Sequence, residues 1–94
     1  MFEEIKKNSP KAWRKFRDWA HKKHHFLPEM FNDESLVGYL FTFFDEQGIW
    51  ILRTIRSTNT ERGNFPVYYM YNTSFADESF EIVITKAFEI LESK

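Results

Sequence analysis

Three groups of residues in this chain have types and spacings that chemistry can use. The first is His21-Lys22-Lys23-His24-His25, where His21 stands one helical turn from both other histidines. That spacing can offer two imidazoles to one metal, but a zinc site needs more ligands, and only Asp18 or a distant carboxylate could supply them. A solvated, positively charged helix end is the simpler role, and no metal is expected. The second group is Asp45-Glu46 beside Gly48. A carboxylate pair does acid–base work only when burial or a neighbour separates the two pKa values. Adjacent acids at a helix end usually point into water, although here they would oppose the helix dipole.

The third group is the basic run Arg14, Lys15, Arg17, Lys22 and Lys23, with Trp13 and Trp19 interleaved. Such cations can neutralise phosphates in salt-sensitive, sequence-blind binding to nucleic acid. Exposed tryptophans could add base stacking. The same pattern suits an anionic membrane surface. An amphipathic helix most often just packs its apolar face, and its charges could then meet Glu81 and Glu89 on an acidic helix. Packing leads, nucleic-acid contact follows, and no membrane role is expected.

Other chemistry lacks its material. With three glycines there is no Gly-rich phosphate loop or dinucleotide fingerprint, and no Ser–His–Asp signature is present. Ser35, Ser74 and Ser79 are explained by helix starts. The absence of cysteine excludes disulfides and thiolate metal sites. The expectation is a non-enzymatic protein with no cofactor and no small-molecule substrate.

Ninety-four residues make one domain, 1–94. The net charge of −1 conceals a division. Residues 6–25 carry eight basic side chains against Asp18 alone, whereas 26–94 carry five basic and eleven acidic ones. A basic arm on an acidic body is the strongest functional hint in the composition. Aromatic residues make up 19% of the chain. That is more than one small core can hide, so some belong on the surface or in a subunit contact. No apolar run is long enough to span a membrane, and MFEEIKKNSPK lacks the apolar region of a signal peptide. Together with the lack of cysteine, this points to a cytoplasmic location.

These residues must be positioned by a small set of elements. Phe2–Lys7 can form a short helical turn. Ser9-Pro10 reads as the start of a helix over 10–25, with Trp13, Phe16, Trp19, Ala20 and the stem of Lys23 on one side. Phe26–Phe31 is a connector, its Phe26, Leu27, Met30 and Phe31 tucked against the core. Asn32 caps a second helix over 33–46, ended by Gly48. Its apolar stretch, 36–44, could also be a strand, but the acidic start and the Gly stop favour helix. Strands over 49–56 and 65–72 form a hairpin around STNTERGN, and Pro66 places the second at an edge or gives it an irregular start. Ser74 reads as the cap of a last helix over 75–92.

FFDEQGIWI, residues 43–51, and ITKAFEILESK, residues 84–94, resemble a group of small proteins of bacteria and their phages and prophages. In those sequences an FFDEQGI-like corner precedes a strand, and the chain ends in a helix of the form FTKAFEILEEK. The basic, aromatic N-terminal segment is similar too, so the likeness spans most of the chain, while STNTERGNFPVYYMYN has no counterpart. The resemblance implies a phage or mobile-element setting and carries no known activity.

The expected fold is α+β, three helices on a small antiparallel hairpin in the order α-α-β-β-α. Two strands rarely stand alone in water, so a third strand or pairing across a homodimer is expected. Trp50, Tyr68 and Met70 are grouped as the candidate dimer or partner patch. The leading function is an interaction or accessory protein working through that patch. The alternative is a nucleic-acid accessory using the basic helix.

Overall fold

The computed structural model describes residues 2–27, 30–57, 63–71 and 73–94. Helix α1 spans Glu3–Asn8, α2 Pro10–His24 and α3 Asp33–Glu46; strands β1 Ile51–Ser57, β2 Asn64–Met70 and β3 Ala76–Asp77 follow, and helix α4, Phe80–Glu92, ends the order. Most of the expected loop around STNTERGN lies outside the described residues, as do Pro28 and Asn72.

Local chemistry sets most of these boundaries. The Asn32 side chain accepts the Ser35 N–H at 2.8 Å and starts α3. At the other end Gly48 adopts a φ of 79°, which an L side chain resists. The Ile49 N–H then reaches the Phe44 carbonyl at 2.8 Å and the Gly48 N–H reaches that of Asp45 at 3.0 Å. This is the Schellman closure, and buried Ile49 and Phe44 add its usual apolar contact. The chain thus passes from helix to strand with the carbonyls of Phe43, Phe44 and Asp45 satisfied. Residues 36–44 are helical, and His25, at φ 62°, terminates α2.

Two helix starts differ from expectation. Ser9 is buried and its side chain makes no capping bond. A carboxylate from the far end of the chain does that work instead: Glu92 Oε2 accepts the Ala12 N–H at 2.8 Å. Ala12 is the third residue of α2, where a backbone donor has no partner inside the helix. The last helix begins at Phe80 rather than near 75. Its cap is Ser79, whose Oγ accepts the Ile82 N–H at 3.4 Å, while Asp77 Oδ1 holds the Ser79 N–H at 2.8 Å. The residues before it are drawn into the sheet: Ala76 and Asp77 pair with Tyr69 and Tyr68.

The sheet is antiparallel with order β1-β2-β3, so the third strand comes from within the chain and β2 is the middle strand rather than an edge; β3 pairs only with Tyr68 and Tyr69, which leaves Pro66 clear of its ladder. In the β1–β2 register Ile51 opposes Met70, Arg53 opposes Tyr68, and Ile55 opposes Pro66. The Tyr71 N–H donates to the Trp50 carbonyl at 2.8 Å, which makes that a hydrogen-bonded pair. Antiparallel pairs alternate. Leu52 and Thr54 therefore bond inward to β2, and the backbone groups of Ile51, Arg53 and Ile55 turn to the open side of β1. The same alternation turns the backbone of Met70 toward the third strand, where its N–H meets the Phe75 carbonyl at 3.1 Å.

The core is aromatic. Phe16, Phe43, Phe44 and Phe88 are fully buried where α2, α3 and α4 meet. Their rings lie 5.2 Å apart for Phe16–Phe43 and 5.1 Å for Phe44–Phe88. Each such pair contributes roughly 0.5–1.5 kcal/mol beyond area burial. Phe2, just before α1, and Ile5 within it close one end, Phe2 stacking on Trp13. Ile51 and Met70 complete the core from the sheet, and Tyr68 packs its ring on Phe80 at 5.2 Å. The α2–α3 connector is held by a second cluster, in which Phe31 stacks on Tyr39 at 4.4 Å and Phe26 meets Phe31 edge-on. Leu27 and Met30, expected against the core, are exposed instead.

Candidate interaction surfaces

The histidine cluster is divided by its helix end. His21 and His25 face solvent, while His24 is half-buried with its ring against Tyr39 at 4.4 Å and Trp19 at 5.1 Å. Among the described residues no group of three or more His, Cys, Asp or Glu side chains could hold a metal ion.

The acidic corner has a structural use. Glu46 Oε2 accepts the Trp19 indole N–H at 2.8 Å, and Oε1 lies 3.3 Å from the Lys23 Nζ. That explains a carboxylate placed against the dipole at the end of α3: two donors from the neighbouring helix offset the unfavourable position. Asp45 is exposed, lies beside the start of β1, and has no ion-pair partner among the described residues.

On α2, Trp13 is buried under Phe88 and Trp19 is half-buried and tied to Glu46, so neither presents a free face for a base. Lys23 is engaged with Glu46. Lys11, Arg14, Lys15 and Lys22 are exposed, Arg17 is half-buried, and none has an ion pair among the described residues. The expected pairing of this helix with Glu81 and Glu89 is not formed. Glu89 faces Lys86 of its own helix, and Glu92 is the residue that reaches α2.

The patch grouped as Trp50, Tyr68 and Met70 is divided between two faces. Met70 is 1% exposed and belongs to the core, and Tyr68 lies under Phe41 and Phe80. The alternation within each strand was read correctly, but a shift of one residue in their pairing exchanges the faces. With Ile51 opposite Met70, the outward companions of Trp50 are Leu52 and Tyr71. Trp50 is 48% exposed, Leu52 44% and Tyr71 62%, and the Trp50 and Tyr71 rings lie 5.5 Å apart. Val67, in the middle strand of the same face, is buried.

At the open edge of β1 this face joins a groove of about 380 Å³ lined by Phe41, Thr42, Asp45, Trp50, Ile51 and Leu52. Apolar side chains at 50 and 52, a carboxylate at 45 and strand groups without a ladder partner among the described residues thus meet in one place, next to Tyr71. Chemically it can bury an apolar side chain and accept an extended backbone. Comparison with protein-family models, curated proteins and solved structures finds no match for this chain. No helix among the described residues is long and apolar enough to cross a membrane.

Proposed function

We propose that this is a small non-enzymatic interaction protein that engages its partner through the outer face of the hairpin, around Trp50, Leu52 and Tyr71. The observation that carries this reading is the Trp50–Tyr71 pair, two large rings in contact on a surface that the chain's own helices leave uncovered. Aromatic residues in such a position are typical anchors of interfaces. The likeness of FFDEQGIWI to phage and prophage proteins supplies a setting, that of a mobile-element accessory protein.

A photo-reactive phenylalanine derivative placed at Tyr71 tests the reading in cells of the source. A discrete adduct, to another protein or to a second copy, is expected. It should disappear with Trp50→Asp and be missing when the probe replaces exposed Lys7. Labelling no stronger at 71 than at 7 would contradict the reading.

A second reading uses α2. The cations at Lys11, Arg14, Lys15, Arg17 and Lys22 have no carboxylate partner among the described residues, which favours a polyanion such as a nucleic-acid backbone. Gel shifts against salt test it. Binding should weaken steeply with salt, and Arg14→Glu with Arg17→Glu should lower the slope by about 1 per lost phosphate contact. An absence of any shift at low salt would exclude this reading.

A further inference from the structure

We infer that the occupant of the β1 edge is a second copy of this chain, paired antiparallel through β1 with Thr54 on the two-fold axis, so that Asp45 of each copy faces Arg56 of the other. The inference goes beyond the reading of the outer hairpin face: edge pairing shares Leu52 with that face and leaves the Trp50–Tyr71 pair itself open.

The two edges of the hairpin are treated differently by the sequence. Beyond β3 no strand among the described residues pairs with the outer side of β2, and Pro66 lies there, opposite Ile55. By the alternation that sends the Met70 N–H toward β3, residue 66 would also point its N–H outward, and proline removes that donor. Proline at an outward position is a usual guard against unwanted strand pairing. β1 has no such guard. Its seven residues, ILRTIRS, contain no proline or lysine, and six of its side chains are exposed or half-exposed. The backbone N–H and C=O groups of Ile51, Arg53 and Ile55 face the open side.

The register follows from charge and length together. Pairing with Arg53 on the axis sets two arginines directly opposite, which is destabilising. Pairing with Ile55 on the axis carries part of each strand past the end of the other. With Thr54 on the axis, β1 overlaps its copy over its whole length, Ile51 opposite Ser57. Arg53 then meets the second copy's Ile55, and Leu52 meets the second copy's Arg56. Leu52 and Asp45 line the same groove, so the incoming Arg56 arrives beside a carboxylate that has no partner among the described residues. Within its own chain Arg56 shares a shallow depression with Asp77 and Glu78 but forms no ion pair among the described residues. The two-fold axis makes this pair twice. The result is a continuous six-stranded sheet in which Leu52 and Ile55 gain cross-strand neighbours.

One short strand edge and a flanking groove make a small interface, below about 1,200 Å² in all, so a micromolar or weaker dimer is expected. Sedimentation equilibrium of the whole chain over micromolar to millimolar concentrations reads it. The wild type should dimerise reversibly. Asp45→Arg and Arg56→Asp should each raise the dissociation constant about tenfold or more, and the double reversal should restore it to near the wild-type value. A double variant as weak as the singles would overturn the register, since loss of an internal Arg56 contact with Asp77 or Glu78 could not be rescued at residue 45. Arg53→Pro leaves the ladder with β2 intact and removes one outward donor; it should be a folded monomer, and a dimer in that variant would overturn edge pairing. A wild-type monomer throughout would overturn the inference. A Tyr71 adduct to a different protein in that case leaves the interaction reading standing; no adduct removes both.

Discussion

Glu92, in the last turn of α4, accepts the backbone N–H of Ala12 in the first turn of α2 at 2.8 Å, eighty residues away along the chain. The contact gives the N-terminus of α2 both a hydrogen-bond acceptor and a negative charge, the two things a helix start lacks. It also joins α2 to α4, the two helices whose Trp13 and Phe88 rings lie 5.6 Å apart.

Glu92→Ala should therefore cost about 1 kcal/mol, the usual value of a lost cap, and lower the melting temperature by roughly 4–8 °C. Ser9→Ala should not reproduce the loss of this cap, because the Ser9 side chain makes no capping bond. Urea unfolding of the two variants checks the order. A midpoint unchanged in Glu92→Ala would contradict the assignment.

At the other end of α2, Glu46 holds the Trp19 indole and Lys23. The two contacts differ in worth. The indole bond is short and made to a charged acceptor, so Glu46→Ala should cost about 1 kcal/mol. The Lys23 pair is solvent-exposed, so Lys23→Ala should cost no more than a few tenths. Unfolding free energies of the two variants test this, and a larger loss for Lys23→Ala would overturn it.

The register of the hairpin predicts a contrast between neighbours. Met70→Ala should cost about 2–5 kcal/mol, as for a buried methionine. Tyr71→Ala, on the open face, should lie within about 0.5 kcal/mol of wild type. Equal or reversed losses in thermal unfolding would mean that the faces of β2 are assigned the wrong way round.

The elements whose signals are local were legible in the sequence. Asn32 and Gly48 mark the ends of α3 by their own side-chain and backbone chemistry, and Pro10 marks the start of α2. The misreadings occur where a distant residue decides. Ser74 and Ser79 are equivalent caps on local grounds; pairing of Ala76 and Asp77 with β2 selects Ser79. Ser9 looked like a cap because Glu92 cannot be seen from residue 12. Trp50 was placed in a candidate contact patch, but with companions from the other face. Alternation assigns the faces of each strand, whereas matching β1 to β2 depends on the register between them. Helical spacing separates the stem of Lys23 from Lys22 by face, but its pairing with Glu46 depends on how α3 packs against α2. The basic face of α2 was legible because helical periodicity alone places Lys11, Arg14, Lys15 and Lys22 outward.

Amide hydrogen exchange followed by NMR across a range of protein concentrations tests the central claim most directly, that the open edge of β1 is the interaction surface and a second copy its occupant. Leu52 and Thr54, bonded inward to β2, should be protected at every concentration. Arg53 and Ile55 should exchange freely in dilute solution and gain protection together as concentration rises. If Arg53 and Ile55 exchange at the same rate from micromolar to millimolar protein, the account of the β1 edge is wrong.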